Sequence, residues 1–393
     1  MYRIGQAEID AVTRVIANAH ASKRMFKTDS DGAEVYHFEK EFAEMMASEH
    51  AIMMTSGKAA LISALTAMGV GPGDEVIVPA YTYIASAIAV TATGAIPVIC
   101  EIDETMTMDV ADVERKITPA TRAIMPVHIQ GFPCNLDALC TLAKAHGLFV
   151  LEDACQADGG AYKGKRLGTH GDAGAFSFNA YKIITAGEGG ALVTGDRRLF
   201  ERALIYHDSS AIAYFGNQLD GVSEPQFCGT EYRANEISAA ILREQLKRLD
   251  GILADLRERK NAIMAALPAI DWIPTHDAQG DCGTTLACRF ASSQRAADFA
   301  AAPGVYGTRP IDTGKHVYAN WTPLLEKRAA FNPKFNPFQM KENATLTFNI
   351  TPDACPRTLD ILSRTVYVSV SPDWTPHDVQ RTIATLGNAA QRP

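Results

Sequence analysis

Lys182 and Asp153 are the two residues of this 393-residue chain whose types and surroundings could do chemistry together. Asp153 closes the run VLED (150–153), which reads as a buried strand presenting a charge at its carboxyl end, where open α/β sheets place their ligands. Lys182 follows a second strand-like run, AFSF (175–178), and precedes the turn GEGG (187–190) and the strand-like ALVT (191–194). A lysine held between such turns is a candidate nucleophile. An isolated aspartate ordinarily caps a helix and an isolated lysine ordinarily sits in solvent; the combination is what points to a site.

A lysine amine can form a Schiff base with an aldehyde. A carboxylate can pair with a pyridinium nitrogen and keep it protonated, so that the ring draws electrons from a carbanion. Pyridoxal 5'-phosphate asks for both groups. Ser177 could bond its phosphate. A second phosphate seat is offered by Ser56-Gly57-Lys58, where the chain turns into a helix whose first N–H groups are free.

The segments EDACQA (152–157), FSFNAYK (176–182) and GEGG (187–190) together resemble the DegT/DnrJ/EryC1/StrS family of sugar and cyclitol aminotransferases, fold-type-I enzymes dependent on pyridoxal phosphate. The likeness covers nearly the whole chain. It implies Lys182 as the Schiff-base lysine, Asp153 as partner of the pyridine nitrogen and Gln156 near the ring hydroxyl. It also implies Ser177, Ser56 and Gly57 at the phosphate and Tyr83 over the ring. Two departures stand out. Lys58 replaces the threonine of the family's Ser-Gly-Thr, and Glu231 replaces the asparagine of its G-x-N-x-R-x-x-E segment, whose Arg233 and Glu236 match. That segment reaches the neighbouring subunit's site in the family, which implies a homodimer with composite active sites. Lys58 is then expected to bond the phosphate and to pair with Glu231 across the interface. Tyr81, Glu188, His316 and Tyr318 are the substrate-side candidates. The last two lie in KHVYANW (315–321), with Asn320 and Trp321, a cluster that otherwise reads as a packed loop.

The activity so implied is a ping-pong transfer of an amino group from glutamate or glutamine to a keto or aldehyde carbon of a sugar or cyclitol. Lys182 would hold the cofactor as an internal aldimine and, once displaced, serve as base and acid. A sugar dehydratase of the same family is an alternative. It would carry histidine in place of the lysine, and Lys182 speaks against it. A non-catalytic regulator binding the cofactor would be expected to carry an appended DNA-binding helix pair, for which no segment is seen. The tail and KHVYANW look more like relatives that aminate free or acidic sugars than like those handling nucleotide-linked ones.

The elements that must position these residues follow from periodicity. Residues 5–21, with Ile9, Val12, Val15 and Ile16 at helical spacing, and residues 35–46 read as amphipathic helices. EVIVP (75–79), AIPVIC (95–100), RAIMPV (122–127) and LFVLED (148–153) read as strands separated by helices, 136–146 among them. This order specifies a mostly parallel sheet covered on both faces. The expected architecture is α/β, with a large domain over 1–250 and a smaller α+β domain over 251–393. Residues 27–33, 207–228 and 332–336 read as loops. A long helical pattern covers 229–267, with Ile237, Ala240, Ile241, Leu246 and Leu249 on its apolar side.

Composition narrows the rest. A net charge of −8, with 47% apolar and 21% charged residues, fits a globular enzyme and argues against nucleic-acid binding, which needs a basic stripe. Eight scattered cysteines without a C-x-x-C pair, and no signal peptide ahead of them, read as reduced cytoplasmic thiols. Ten dispersed histidines give no metal motif, and no apolar run reaches the ~18 residues of a membrane span.

Overall fold

The computed structural model describes residues 3–23, 33–208 and 221–392. The loop expected over 27–33 lies almost wholly outside these residues, as does the centre of the one expected over 207–228. Seven strands build the central sheet: β1 (His50–Met54), β2 (Glu75–Pro79), β3 (Ile96–Cys100), β4 (Thr121–Ile124), β5 (Phe149–Asp153), β6 (Ala173–Ser177) and β7 (Gly190–Thr194). Their spatial order is β1-β7-β6-β5-β4-β2-β3. Neighbours from β3 to β6 pair in parallel, while β7 runs antiparallel to both β6 and β1. The expected mostly parallel sheet is therefore present, with β7 as its one reversed strand.

Strands such as EVIVP and IPVIC are buried along their whole length, as strands covered on both faces must be. Alternation feeds two cores. Val76 and Val78 pack on one face with the helices α3 (Gly57–Ala67) and α4 (Ala85–Ala92), and Ile77 packs on the other. On that second face Phe38 and Phe42 of the helix Glu34–Met46 meet Phe176 and Phe178 edge to face, with centroids 5.1–5.7 Å apart.

The long helix Glu236–Ala266 runs without interruption through residue 250, so the division expected there falls inside one element. Beyond it, the strands Thr285–Arg289 and Thr365–Ser369 pair antiparallel and pack with the helices Ser293–Ala300 and Pro356–Ser363 as a small α+β unit. Residues 333–335, read as loop, form a 3-10 turn. The N-terminal helix Gln6–Ser22 docks on the long helix through Ala11 and Val15, against Ala240 and Ile237, and through an Arg248–Glu8 ion pair. Its inward stripe is thus 8-11-15. Ile9 and Ile16, expected on the apolar side, are 58% and 50% exposed.

Candidate active site

The residues singled out for chemistry gather at the carboxyl ends of the parallel strands. A cavity of about 390 Å³ is lined there by Ser56, Gly57, Lys58, Tyr83, Asp153 and Gln156, and also by Ser177, Lys182 and Glu188. Asp153 is the last residue of β5 and only 5% exposed. Its Oδ2 accepts from the Ser86 hydroxyl at 2.7 Å and its Oδ1 from the Cys155 amide at 3.1 Å. Ser86 in turn shares a hydrogen bond with the Thr82 hydroxyl, 2.7 Å away, so the one hydroxyl that bonds the carboxylate is itself held by a second at the α4 entry. Neither serine nor threonine was singled out from the sequence. The signal was a buried hydroxyl inside the otherwise apolar run ASAIAVTA.

β5 uses strand alternation to give two adjacent carboxylates opposite surroundings. Glu152 points beneath the sheet end, where it accepts from the amides of Gly168, His170 and Gly171 at 2.6–2.7 Å and meets His128 Nε2 at 3.0 Å. Burial pushes its carboxyl up, but His128 and the Gly171 and Gly168 amides together hold it below the usual range.

Opposite Asp153, Ser56 caps α3, its Oγ accepting from the Ala59 amide at 3.1 Å. The first-turn N–H groups face the cavity beside Ser177, which ends β6. Gly57 is required by space: a Cβ there would stand 2.6 Å from Cys155 Sγ and 2.7 Å from Ser177 Cβ. Gly190 at the start of β7 is required for the same reason: a Cβ there would stand 2.3 Å from the Ser56 carbonyl carbon. A helix N-terminus, a hydroxyl and a cradle that any side chain would fill are what a phosphate group needs. With Asp153 and Lys182 across the same cavity, the donor set fits pyridoxal phosphate.

Lys182 is half-buried and lines a second cavity as well, of about 350 Å³, together with Gln130, Gln156, Asp158, Thr284, Thr285 and His316. Gln156 spans both cavities, its Oε1 accepting from the Gln130 amide at 3.0 Å. Tyr83 is 42% exposed at the first cavity, with its ring 5.3 Å from that of His316. Burial pushes His316 below the usual imidazole value, outweighing its contact with the Thr313 carbonyl. Glu188 stands exposed at the rim.

Two of the substrate-side expectations are corrected. Tyr318 is fully buried, its hydroxyl donating to the Pro352 carbonyl at 3.1 Å and accepting from the Cys355 amide at 2.9 Å, so it has nothing left to offer a ligand. Tyr81 is 1% exposed and packs among Ile102, Met106 and Phe132. Within KHVYANW, Trp321 is likewise core, its Nε1 donating to the Lys315 carbonyl, and Asn320 bonds the Gly314 carbonyl. Lys315, which the sequence reading passed over, lines the first cavity.

The segment around Glu231 lies beside the end of β1 in the same chain, the Thr55 amide donating to the Tyr232 carbonyl at 2.9 Å. Glu231 already has a counter-charge, Arg233 Nε at 2.6 Å, and Arg233 also approaches Asp208 at 3.3 Å. The neutralisation expected from Lys58 is thus supplied within the chain. Lys58 is exposed and makes no ion pair among the described residues. Glu236, matched to the family motif, is buried and accepts from the Val35 amide at 3.4 Å, which ties the long helix to the helix Glu34–Met46. Among the described residues no group of His, Cys, Asp and Glu is placed to hold a metal, and no helix is long and apolar enough to cross a membrane.

The chain is 43% identical over 244 residues to the dTDP-3-amino-3,4,6-trideoxy-alpha-D-glucose transaminase of Streptomyces venezuelae, a match covering 61% of this chain and 62% of that protein. It is 45% identical over 233 residues to the GDP-perosamine synthase of Caulobacter vibrioides, covering 58% and 60%. The chain therefore spans less than two thirds of the length of these relatives at that similarity. The solved structure of S. venezuelae DesV superposes with a TM-score of 0.76 at 32% identity, over 98% of this chain and 95% of that one. The model of the DegT/DnrJ/EryC1/StrS aminotransferase family matches residues 7–387, and the chain belongs to that family.

Proposed function

We propose that this protein is a pyridoxal-phosphate-dependent aminotransferase that moves an amino group from glutamate or glutamine to a carbonyl carbon of a sugar or cyclitol. The observation that carries the reading is the convergence of Asp153, Lys182, Ser177 and the α3 N-terminus on one cavity. When bound, the cofactor supplies an aldehyde that takes up an amine and a ring that accepts electrons from the adjacent carbon.

The chain's residues do the rest. Asp153, fixed by Ser86 and Cys155, keeps carboxylate lone pairs free to hold the proton on a ring nitrogen. Ser56, Gly57 and Ser177 orient the phosphate. Lys182, at the boundary of the two cavities, can reach a ligand in either, first as the covalent amine and then as carrier of the proton moved between carbons.

The working unit is a homodimer with composite sites. This is supported by the Tyr181 ring, 91% exposed at the second cavity, by Phe227, 38% exposed in the segment the family sends to its neighbour, and by Ile9 and Ile16 on the N-terminal helix. Eight free cysteines suit a reducing cytoplasm.

The test is spectroscopic. Adding L-glutamate or L-glutamine to the holoenzyme should abolish the absorption of the lysine-linked cofactor, and a keto sugar should restore it. Borohydride should fix the cofactor on Lys182. A label on Lys58, Lys163 or Lys165 would refute the assignment.

A further inference from the structure

Asp158 is the buried acid that this reading leaves unused. It is 1% exposed, and neither carboxyl oxygen has a hydrogen-bond partner. Its place is tightly determined. The Ala157 amide donates to the Ala154 carbonyl and the Gly160 amide to the Ala157 carbonyl, both at 2.9 Å. The next residue, Gly159, has φ +75° and packs so closely on the long helix that a Cβ would stand 2.7 Å from Leu253. With its backbone fixed in this way, Asp158 lines the second cavity beside Gln130, Thr284, Thr285 and Ser369.

Those neighbours are amides and hydroxyls. Lys182 is the one lysine or arginine lining this cavity among the described residues, and His316 is pushed toward its neutral form by burial. Burial also drives the Asp158 carboxyl well above the usual carboxylate range, against the opposing pull of Lys182 and of the nearby Ile184 amide. A neutral carboxyl carries one donor and free acceptor sites, the complement of a hydroxyl. A buried polar group left unpaired is costly, and a site built around one favours the ligand that pairs it.

We propose that Asp158 is a specificity-determining residue whose carboxyl takes a hydroxyl of the acceptor's uncharged ring in this second cavity. The proposal rests on the sugar-aminotransferase reading and narrows it. The ring enters between Asp158 and the Thr284–Thr285 wall, and any phosphate or carboxylate of the acceptor lies outside this cavity, which offers it no cation beyond Lys182.

The test compares the holoenzyme with its Asp158→Ala and Asp158→Asn variants. L-glutamate probes the donor half-reaction. GDP-perosamine, dTDP-3-amino-3,4,6-trideoxyglucose and 3-amino-3-deoxy-D-glucose probe the sugar half-reaction in reverse. For whichever sugar wild type converts, Asp158→Ala should raise KM about tenfold or more, with kcat and the glutamate half-reaction held within about threefold. Asp158→Asn, which still donates and accepts, should restore KM to within about threefold of wild type. A readout without turnover is calorimetric titration of the same sugar into borohydride-reduced protein, where Asp158→Ala should weaken binding by a similar factor.

Unchanged KM and affinity in Asp158→Ala, with the sugar still converted, would overturn the inference and leave the aminotransferase standing. An equal KM rise for glutamate and sugar would also overturn it, since the residue would then serve the site at large. A wild type that reacts with neither glutamate nor glutamine would overturn the activity itself. One that reacts with the donor and none of these sugars would overturn the sugar reading and the inference with it.

Discussion

Gly57→Ala puts one methyl group where the phosphate seat is assembled. The new Cβ would lie 2.6 Å from Cys155 Sγ, 2.7 Å from Ser177 Cβ and 3.2 Å from the Phe176 carbonyl oxygen. Restoring ordinary contact needs about 0.7–0.8 Å of movement from each of the first two groups. Neither is the end of a flexible chain, for Ser177 closes β6 and Cys155 lies two residues past the end of β5. Alanine is the better helix former by about 1 kcal/mol, whereas overpacking of this kind costs about 1–3 kcal/mol. The net loss of stability should therefore be modest, about 0–2 kcal/mol by those two figures. The functional loss should be larger, because the groups displaced are those proposed to hold the phosphate, and a 1 Å error in such a site costs about a hundredfold. Thermal melts of the apoprotein and fluorescence titration with pyridoxal phosphate measure the two effects. Adding Cys155→Ala removes the nearer obstacle, so the double variant should recover part of the affinity, a coupling expected of atoms in contact. A Gly57→Ala protein that binds the cofactor as tightly as wild type would refute the packing argument.

Ser86→Ala removes a hydroxyl donor worth about 1.5–3 kcal/mol to a charged acceptor, so single-turnover rates with glutamate should fall about tenfold or more, and Asp153→Asn should cost more still. A rate within twofold for Asp153→Asn would contradict its assigned role. Lys58→Thr should weaken cofactor binding. Because Arg233 already neutralises Glu231, that loss should add to the effect of Glu231→Asn within about 0.5 kcal/mol, and a strongly non-additive cycle would restore a Lys58–Glu231 pair between subunits. Glu39, part-buried and accepting from the Met53 amide at 2.8 Å, is raised to about 8, chiefly by burial and further by Glu236, against the opposing effect of that amide. Its folded value lies above its unfolded one, so its contribution to stability is complete below about pH 4.5 and is lost as pH rises through about 8. Glu39→Gln should flatten the pH dependence of the melting temperature across that window and be the more stable protein at pH 8; parallel curves would refute this.

Much of this was legible in the sequence, for a physical reason. Strands buried on both faces must be apolar throughout, so EVIVP and the run ending in Asp153 announced themselves, and the place of Asp153 at the cavity follows from where such strands end. What escaped was decided by packing across distant segments. Ser86 lies 67 positions from the carboxylate it supports. Tyr81 and Tyr318 look like ligand-facing aromatics in one dimension, yet Tyr81 clusters with Ala287 and Tyr367 of the small unit and Tyr318 with the core around α3 and α4. Ile9 and Ile16 fit an apolar stripe by spacing, but the stripe that docks is set by the partner helix, and the Glu8–Arg248 pair turns it away from them. Asp158 lies just past the EDACQA motif and carries no signal of its own in the sequence, since only the three-dimensional structure shows which donors are missing.

The two neighbouring carboxylates of β5 answer to different pressures over evolutionary time. Glu152 is bonded on every side by its own chain, so any descendant that keeps this fold must keep an acid there, whether or not it retains the chemistry. Asp153 keeps part of its carboxylate open toward the cavity, and a lineage that abandoned the cofactor could lose it with little harm to folding. An acid retained at 152 beside a drifting 153 would therefore be the mark of a relative that has kept the architecture and given up the reaction.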